Sequence, residues 1–286
     1  MTQTHPQLAF IGFGEAAEAF ATGWGPDAAS HARAYDVKSD TPAARAARTG
    51  VTLLADRAGA LDGAEAVFCL VTADRAVEAA EQAAPYLPTG AFWLDGNSCS
   101  PGAKRRAAEL ISAVGGRYVD VAIMAPVHPK LHRTPLLIAG PHAEFAARLL
   151  ETLGMQARIA GATVGDASSI KMIRSVLIKG MEALTAECLL AARRAGVEGA
   201  VLASLAASNP GIDWPAQAAY NLERMMVHGH RRAAEMREVA ATLAELNLPN
   251  ALSSASADWQ QRLGDMQLAP GDDSFPQRAD AVLGRL

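Results

Sequence analysis

The feature that most constrains this chain is a glycine-rich turn joining two different periodicities. An apolar run from Gln7 to Ile11 leads directly into Gly12-Phe13-Gly14-Glu15-Ala16-Ala17, and an alanine-rich helical pattern begins at Glu15. In a G-x-G-x-x-A turn of this kind the first glycine permits the bend, the second admits a pyrophosphate against the backbone, and the alanine lets helix and strand pack closely. The N–H groups at the helix start then face the phosphates. Asp36 ends the next apolar run, 24 residues after Gly12. A carboxylate there accepts hydrogen bonds from an adenosine ribose and repels a 2′-phosphate. The expected dinucleotide contacts are therefore Gly12, Phe13, Gly14, Glu15, Ala17 and Asp36, with NAD favoured. Lys38, Ser39 and Arg45 nearby leave NADP open.

Short apolar runs continue through the first half of the chain at Ala32 to Asp36, Val51 to Leu54, Ala66 to Val71, Ala91 to Asp95, Tyr118 to Ile123, Leu136 to Ala139 and Gln156 to Ile159. Helical stretches such as Glu15 to Gly23, Arg75 to Ala84 and Lys104 to Val114 alternate with them. This is the pattern of a parallel sheet covered by helices, a Rossmann-type doubly wound α/β domain, here spanning residues 1–164. From Gly165 the strand signal stops. Asp166 can cap a helix running to about Ala195, where Gly196 ends it. At roughly 30 residues such a helix is about 45 Å long, longer than a small domain is wide. Further helices are expected at Val197 to Ser208, Pro215 to Val227, Arg231 to Leu246 and Ala251 to Leu263, so residues 165–286 read as an all-α domain beginning with an interdomain helix.

Half of the 286 residues are hydrophobic and 20% are charged, which suffices for a buried core and excludes disorder. A net charge of −4 from 26 basic and 30 acidic residues offers no general attraction for nucleic acid or anionic membranes. Lys104-Arg105-Arg106, Arg193-Arg194 and Arg231-Arg232 read as solvated helix faces. Cys69, Cys99 and Cys188 form no C-x-x-C pair and read as free thiols. The segment from Met1 to Pro6 lacks signal-peptide character, and no apolar stretch is long enough to span a membrane. A cytoplasmic protein is expected. His128 and His132 have an i, i+4 spacing, but Pro129 interrupts it and no carboxylate completes a set, so no metal site is expected.

Three further places carry side chains suited to chemistry. Val71-Thr72 and Asp95-Gly96-Asn97-Ser98-Cys99-Ser100-Pro101 follow strands four and five, at the strand ends that face the ligand crevice of a doubly wound sheet. Ser100 before Pro101 suits a helix cap, and Asn97 or Ser98 can face the crevice. On the long helix, Lys171, Ser175, Ile178 and Glu182 fall on one stripe. Lys171 is placed to give or take a proton, whereas Lys179, off that stripe, reads as a solvated charge.

With these motifs the chain resembles the β-hydroxyacid dehydrogenases together with 6-phosphogluconate dehydrogenase. The family's D-x-S-T-x-S-P is similar to Asp95 to Pro101, and its G-x-G-x-x-x-K-x-x-x-N is similar to Gly165-Asp-Ala167-Ser-Ser-Ile-Lys171-Met-Ile-Arg-Ser175. The resemblance covers nearly the whole chain and implies that Lys171 is the catalytic lysine, with Ser175 in place of a substrate-binding asparagine. Imine reductases look similar overall but commonly replace that lysine. The family's D-x-P-V-S-G-G substrate segment is represented by Asp120-Val-Ala-Ile-Met124-Ala125-Pro126, which lacks the serine and both glycines. The glutamate of the decarboxylating members falls on Ile178, which disfavours phosphogluconate. The region from Arg224 through His228, His230, Arg231 and Arg232 to Glu235 resembles the helical domain of a poorly characterised subgroup.

The resemblance implies an NAD(P)-dependent dehydrogenase acting on a small hydroxy acid or related alcohol, with Lys171 as general acid–base. The nicotinamide lies near Val71, Thr72 and Ser98; Ser175, Asn97, Ser98, Met124, Ala125, Arg174 and His128 are the expected substrate contacts. An imine reductase-like enzyme and a non-catalytic nucleotide sensor are the competing readings. The apolar series Ile170, Ile173, Leu177, Met181 and Leu184 needs cover along the long helix, so a homodimer is expected, with the His228 to Arg232 cluster reaching the partner's cleft.

Overall fold

A computed structural model describes residues 6–38 and 40–286. Ser39, and the segment before Pro6, lie outside the described residues. The chain divides into two compact units, Met1–Met172 and Ile173–Leu286.

In the first unit β1 (Leu8–Ile11), α1 (Glu15–Trp24), α2 (Pro26–Ala29), β2 (Ala32–Tyr35), α3 (Asp40–Thr49), β3 (Thr52–Leu53), α4 (Arg57–Leu61), β4 (Ala66–Cys69), α5 (Ala76–Ala83), β5 (Phe92–Asp95), α6 (Pro101–Ala113), β6 (Arg117–Ile123), β7 (Leu136–Ala139), α7 (Ala143–Thr152) and β8 (Ala157–Gly161) follow in order. The sheet order is β3-β2-β1-β4-β5-β6-β7-β8, a Rossmann-type doubly wound sheet. Every residue of β1, β4 and β7 is buried, as strands covered on both faces require. Small residues let the helices come close. Ala17, Ala19 and Ala21 of α1 are buried above an aromatic cluster of Phe10, Phe13, Phe20, Trp24 and Phe68.

The sheet departs from the all-parallel expectation at one place. β7 runs antiparallel to β6, and β8 runs parallel to β7. Between β6 and β7 the chain has no crossover α-helix, only turns and a 3-10 turn at Leu131–Arg133, and a parallel return needs such a crossover. One row of paired residues crosses the sheet at Ile11, Cys69, Asp95, Asp120, Ala139 and Gly161.

The long helix α8 spans Asp166–Arg194, and the boundary between the units falls inside it. Its start is held differently from the expectation. Asp166 turns its carboxylate back to the Thr163 N–H at 3.1 Å. Asp120 of β6 instead accepts from the N–H groups of Gly165 and Ser168, at 3.1 and 3.0 Å.

The second unit is all-helical: the remainder of α8, α9 (Glu198–Ser208), α10 (Trp214–Glu245), α11 (Ala251–Asp265) and α12 (Phe275–Leu283). Leu189, Leu222, Met225, Leu263 and Phe275 centre its core. The two helices expected at Pro215 to Val227 and Arg231 to Leu246 are one. Gly229 does not break α10; it marks where α11 crosses. A Cβ at Gly229 would lie 2.6 Å from the Gly264 backbone nitrogen and would also meet the Gln260 carbonyl. The His228 to Arg232 run is correspondingly spread around the helix: Arg232 is buried, and His230 pairs with Asp265 at 2.8 Å. Gly229→Ala should therefore cost about 1–3 kcal/mol by overpacking. Thermal unfolding followed by far-ultraviolet circular dichroism should show a fall of several degrees, and an unchanged midpoint would show that the crossing opens freely.

Candidate active site

Gly12 adopts φ +85°, and a Cβ there would lie 2.6 Å from the Leu70 carbonyl oxygen. Only glycine fits without strain. At Gly14 the Cβ position meets nothing within 4 Å, and no side chain caps α1. The first amides of that helix thus open onto space that suits an anionic pyrophosphate. Glu15 is exposed and Ala17 fully buried. Phe13 is buried with its ring against Phe10, so it serves the core, and its N–H donates to Asp36 Oδ2 at 2.7 Å.

The second oxygen of Asp36 accepts from the Lys38 N–H at 2.9 Å. The carboxylate thereby ties the end of β2 to the glycine turn while retaining lone pairs for ribose hydroxyls. Arg45 donates to Glu18 at 2.9 Å, which ties its guanidinium to α1, and the Lys38 side chain is exposed.

The loop after β5 is organised by a charge cluster that the sequence reading places in solvent. Lys104 of α6 is fully buried. Its ammonium donates to the Asp95 carbonyl, to Asp95 Oδ1 at 3.1 Å and to the Val121 carbonyl at 3.3 Å, and lies 3.4 Å from Asp120 Oδ1. Burial alone lowers a lysine pKa, but the Asp95 and Asp120 charges outweigh it and hold the ammonium above its usual range. That contribution is complete at neutral pH and is lost only as pH rises through the elevated value. Tyr118 donates to Asp95 Oδ2 at 2.7 Å, and burial followed by the Asp95 charge pushes its phenol up. The spacing of Lys104, Ala107 and Ile111, three and then four residues, is the sign in the sequence that Lys104 shares the buried stripe of α6.

Asn97 spends its amide on this framework. Its Nδ2 donates to Asp95 Oδ1 at 2.7 Å and to Cys69 Sγ at 3.3 Å, and its Oδ1 accepts from the Val71 N–H at 2.7 Å. It positions the Val71 loop instead of facing the crevice. Ser100 caps α6 through the Ala103 N–H at 3.3 Å. Ser98, between them, receives the Lys171 ammonium at 2.6 Å across 73 residues of sequence. Both residues are half-buried, so the pair is reachable from solvent.

Of the other expected contacts, Met124 and Ala125 are half-buried, and Met124 packs on Ala167 at the start of α8. Thr72, His128 and Arg174 are exposed. Ser175 is buried one turn beyond Lys171 on α8, and Ile178 is exposed. Lys179 and Arg232, expected in solvent, are buried and paired: Lys179 with Glu235 at 2.8 Å, Arg232 with Glu182. Among the described residues no group of three or more His, Cys, Asp or Glu could hold a metal ion. No helix among them is long and apolar enough to cross a membrane.

The sequence profile described as the NAD binding domain of 6-phosphogluconate dehydrogenase matches residues 7–165, and that of a domain of unknown function, DUF1932, matches residues 192–263. A conserved hypothetical protein from Sinorhizobium meliloti is 39% identical, with 99% of this chain and 98% of that one covered and a TM-score of 0.76. A conserved protein of unknown function, whose structure is described as similar to 3-hydroxyacid dehydrogenases, is 30% identical over 95% of this chain and 98% of its own, with a TM-score of 0.69. The 3-hydroxyisobutyrate dehydrogenase of Mycobacterium tuberculosis shares the fold at 16% identity, 98% and 99% coverage and a TM-score of 0.73.

Replacing Lys104 by Met leaves two buried carboxylates without their cation. Breaking a buried pair in this way costs about 3–5 kcal/mol. Denaturant unfolding should show that loss, and a variant as stable as the parent would mean that Asp95 and Asp120 do not depend on Lys104.

Proposed function

Since the chain belongs to the β-hydroxyacid and 6-phosphogluconate dehydrogenase family of NAD(P)-binding proteins, we propose that it transfers hydride between a nicotinamide and a small hydroxy acid or the corresponding carbonyl compound, with Lys171 as general acid–base. The observation that carries this reading is the Lys171–Ser98 contact of 2.6 Å, at the strand ends where the uncapped α1 amides and the Val71 loop also lie.

The glycine turn and Asp36 would hold the dinucleotide, which when bound supplies the hydride acceptor or donor. Ser98 orients the Lys171 amine. In the alcohol-to-carbonyl direction Lys171 takes the hydroxyl proton, and in reverse it returns a proton to the same oxygen. Ser175, one turn along α8, orients the substrate. Met124, Ala125 and Pro126 stand where the family has a serine and two glycines, so a carboxylate would be gripped by side chains such as Arg174 or His128. Retention of a lysine at 171 favours carbonyl chemistry over imine reduction.

A screen of hydroxy acids, semialdehydes and amines by nicotinamide absorbance tests the reading. With the substrate found, Lys171→Ala should lower kcat about 10²–10⁴-fold while the cofactor dissociation constant is unchanged. Full turnover by that variant would remove Lys171 from the mechanism, and cofactor binding without turnover across the panel would favour a nucleotide sensor.

Asp36 favours NAD by placing a carboxylate where a 2′-phosphate would sit. A preference of about tenfold is expected, narrowed in Asp36→Ser; equal dissociation constants for the two cofactors in the parent would overturn it. We also infer a homodimer. Ile173, Leu177 and Leu184 on α8 are 48%, 65% and 63% exposed, and no residue of the apolar helix α9 is buried, which a two-fold contact with a second copy would cover. Light scattering should read about twice the mass of one chain. The three free cysteines suit the reducing cytoplasm, where we place the enzyme.

A further inference from the structure

Glu18 lies one turn into α1, its N–H bonded to the Gly14 carbonyl at 3.0 Å. Its carboxylate bridges two cations of α3. Oε2 accepts from Arg45 Nε at 2.9 Å, while Oε1 accepts from Arg48 Nε, also at 2.9 Å, and from Arg48 Nη2. Glu18 and Arg45 are half-buried, and Arg48 is exposed. None of the three is among the dinucleotide contacts proposed above.

The cluster adjoins the ribose end of that site. Asp36 Oδ2 accepts from the Phe13 N–H, so the carboxylate that would receive the ribose sits at the head of α1. Glu18 follows Gly14 by four residues, about 6 Å along the helix axis. Arg45 is three residues closer than Arg48 to the end of β2, where Asp36 stands. A guanidinium is the side chain whose planar fork matches a phosphate, and two of them three residues apart on one helix repel each other. Left without a carboxylate between them, they would turn to the nearest anion. With Glu18 in place, a 2′-phosphate would have to draw Arg45 away from a partner that holds it by charge and hydrogen bond together.

We propose that Glu18 is a positioning residue that sets cofactor specificity: by holding Arg45 and Arg48 against α1, it withholds from a 2′-phosphate the guanidinium that would otherwise receive it. The role rests on the NAD preference proposed above and deepens it. Asp36 repels the phosphate directly. Glu18 acts through Arg45 and touches neither dinucleotide.

Calorimetric titration of the full chain with NAD and with NADP forms the test and needs no substrate. Glu18→Gln is expected to tighten NADP binding about tenfold while NAD stays within about twofold of the parent. Adding Arg45→Ala to Glu18→Gln should return NADP to within about twofold of the parental value, because the gain passes through that guanidinium. Glu18→Ala, which keeps a good helix former at the position, takes the place of Glu18→Gln if circular dichroism shows that variant unfolded. An unchanged ratio of the two dissociation constants in a folded Glu18 variant, even with a lower melting temperature, would make the cluster a brace between α1 and α3. That result would overturn the role and leave the NAD preference standing, and so would a gain in NADP binding that survives Arg45→Ala. Equal dissociation constants in the parent would overturn the NAD preference and this role together. Failure of the parent to bind either dinucleotide would overturn the dinucleotide site itself.

Discussion

The ammonium of Lys104 is shared between Asp95 and Asp120, and the first unit's candidate site is built outward from that sharing. Asp95 ends β5 and orients Asn97, which in turn holds the Val71 loop. Asp120 sits opposite Asp95 in the sheet and receives the first amides of α8. The loop bearing Ser98 and the helix turn bearing Lys171 are therefore both referenced to one cation. Such an arrangement is costly in desolvation and is sustained only because every partner is present at once. Its return is geometric: two segments far apart in sequence meet at a fixed distance.

The parts of this structure that were legible in the sequence are those whose cause is local. The glycine turn announces itself because positive φ and a close backbone approach both demand glycine at Gly12. The eight strands are visible because a sheet covered on both faces needs apolar runs, and Ser100 before Pro101 marks a helix start by its own chemistry. Lys171 stands at the lysine position of the family motif, and its Ser98 partner, 73 residues away, is seen only in the structure.

What stayed hidden depends on partners distant in the chain. Lys104, Lys179 and Arg232 carry ordinary surface side chains, and only Asp95, Glu235 and Glu182 make their burial tolerable. A glycine inside a helical pattern reads equally as a break or as a crossing, and Gly264, on another helix, decides for Gly229. The motif position of Asn97 correctly located the loop, but its amide is used to hold that loop. Four-residue strands such as β7 carry no mark of their direction.

The reversal at β7 has its own consequence. Because β6 continues past the row that holds Asp95 and Asp120, and β7 and β8 descend beside that extension, β8 finishes level with β1, β4 and β5 although it arrives from the opposite side. Helix α8 can then begin at the crevice itself. The height of the β6–β7 extension is thus uncoupled from the placement of Lys171. Paired insertions or deletions above the row would raise or lower the wall beside the strand ends, while the Lys171–Ser98 contact below stays in register.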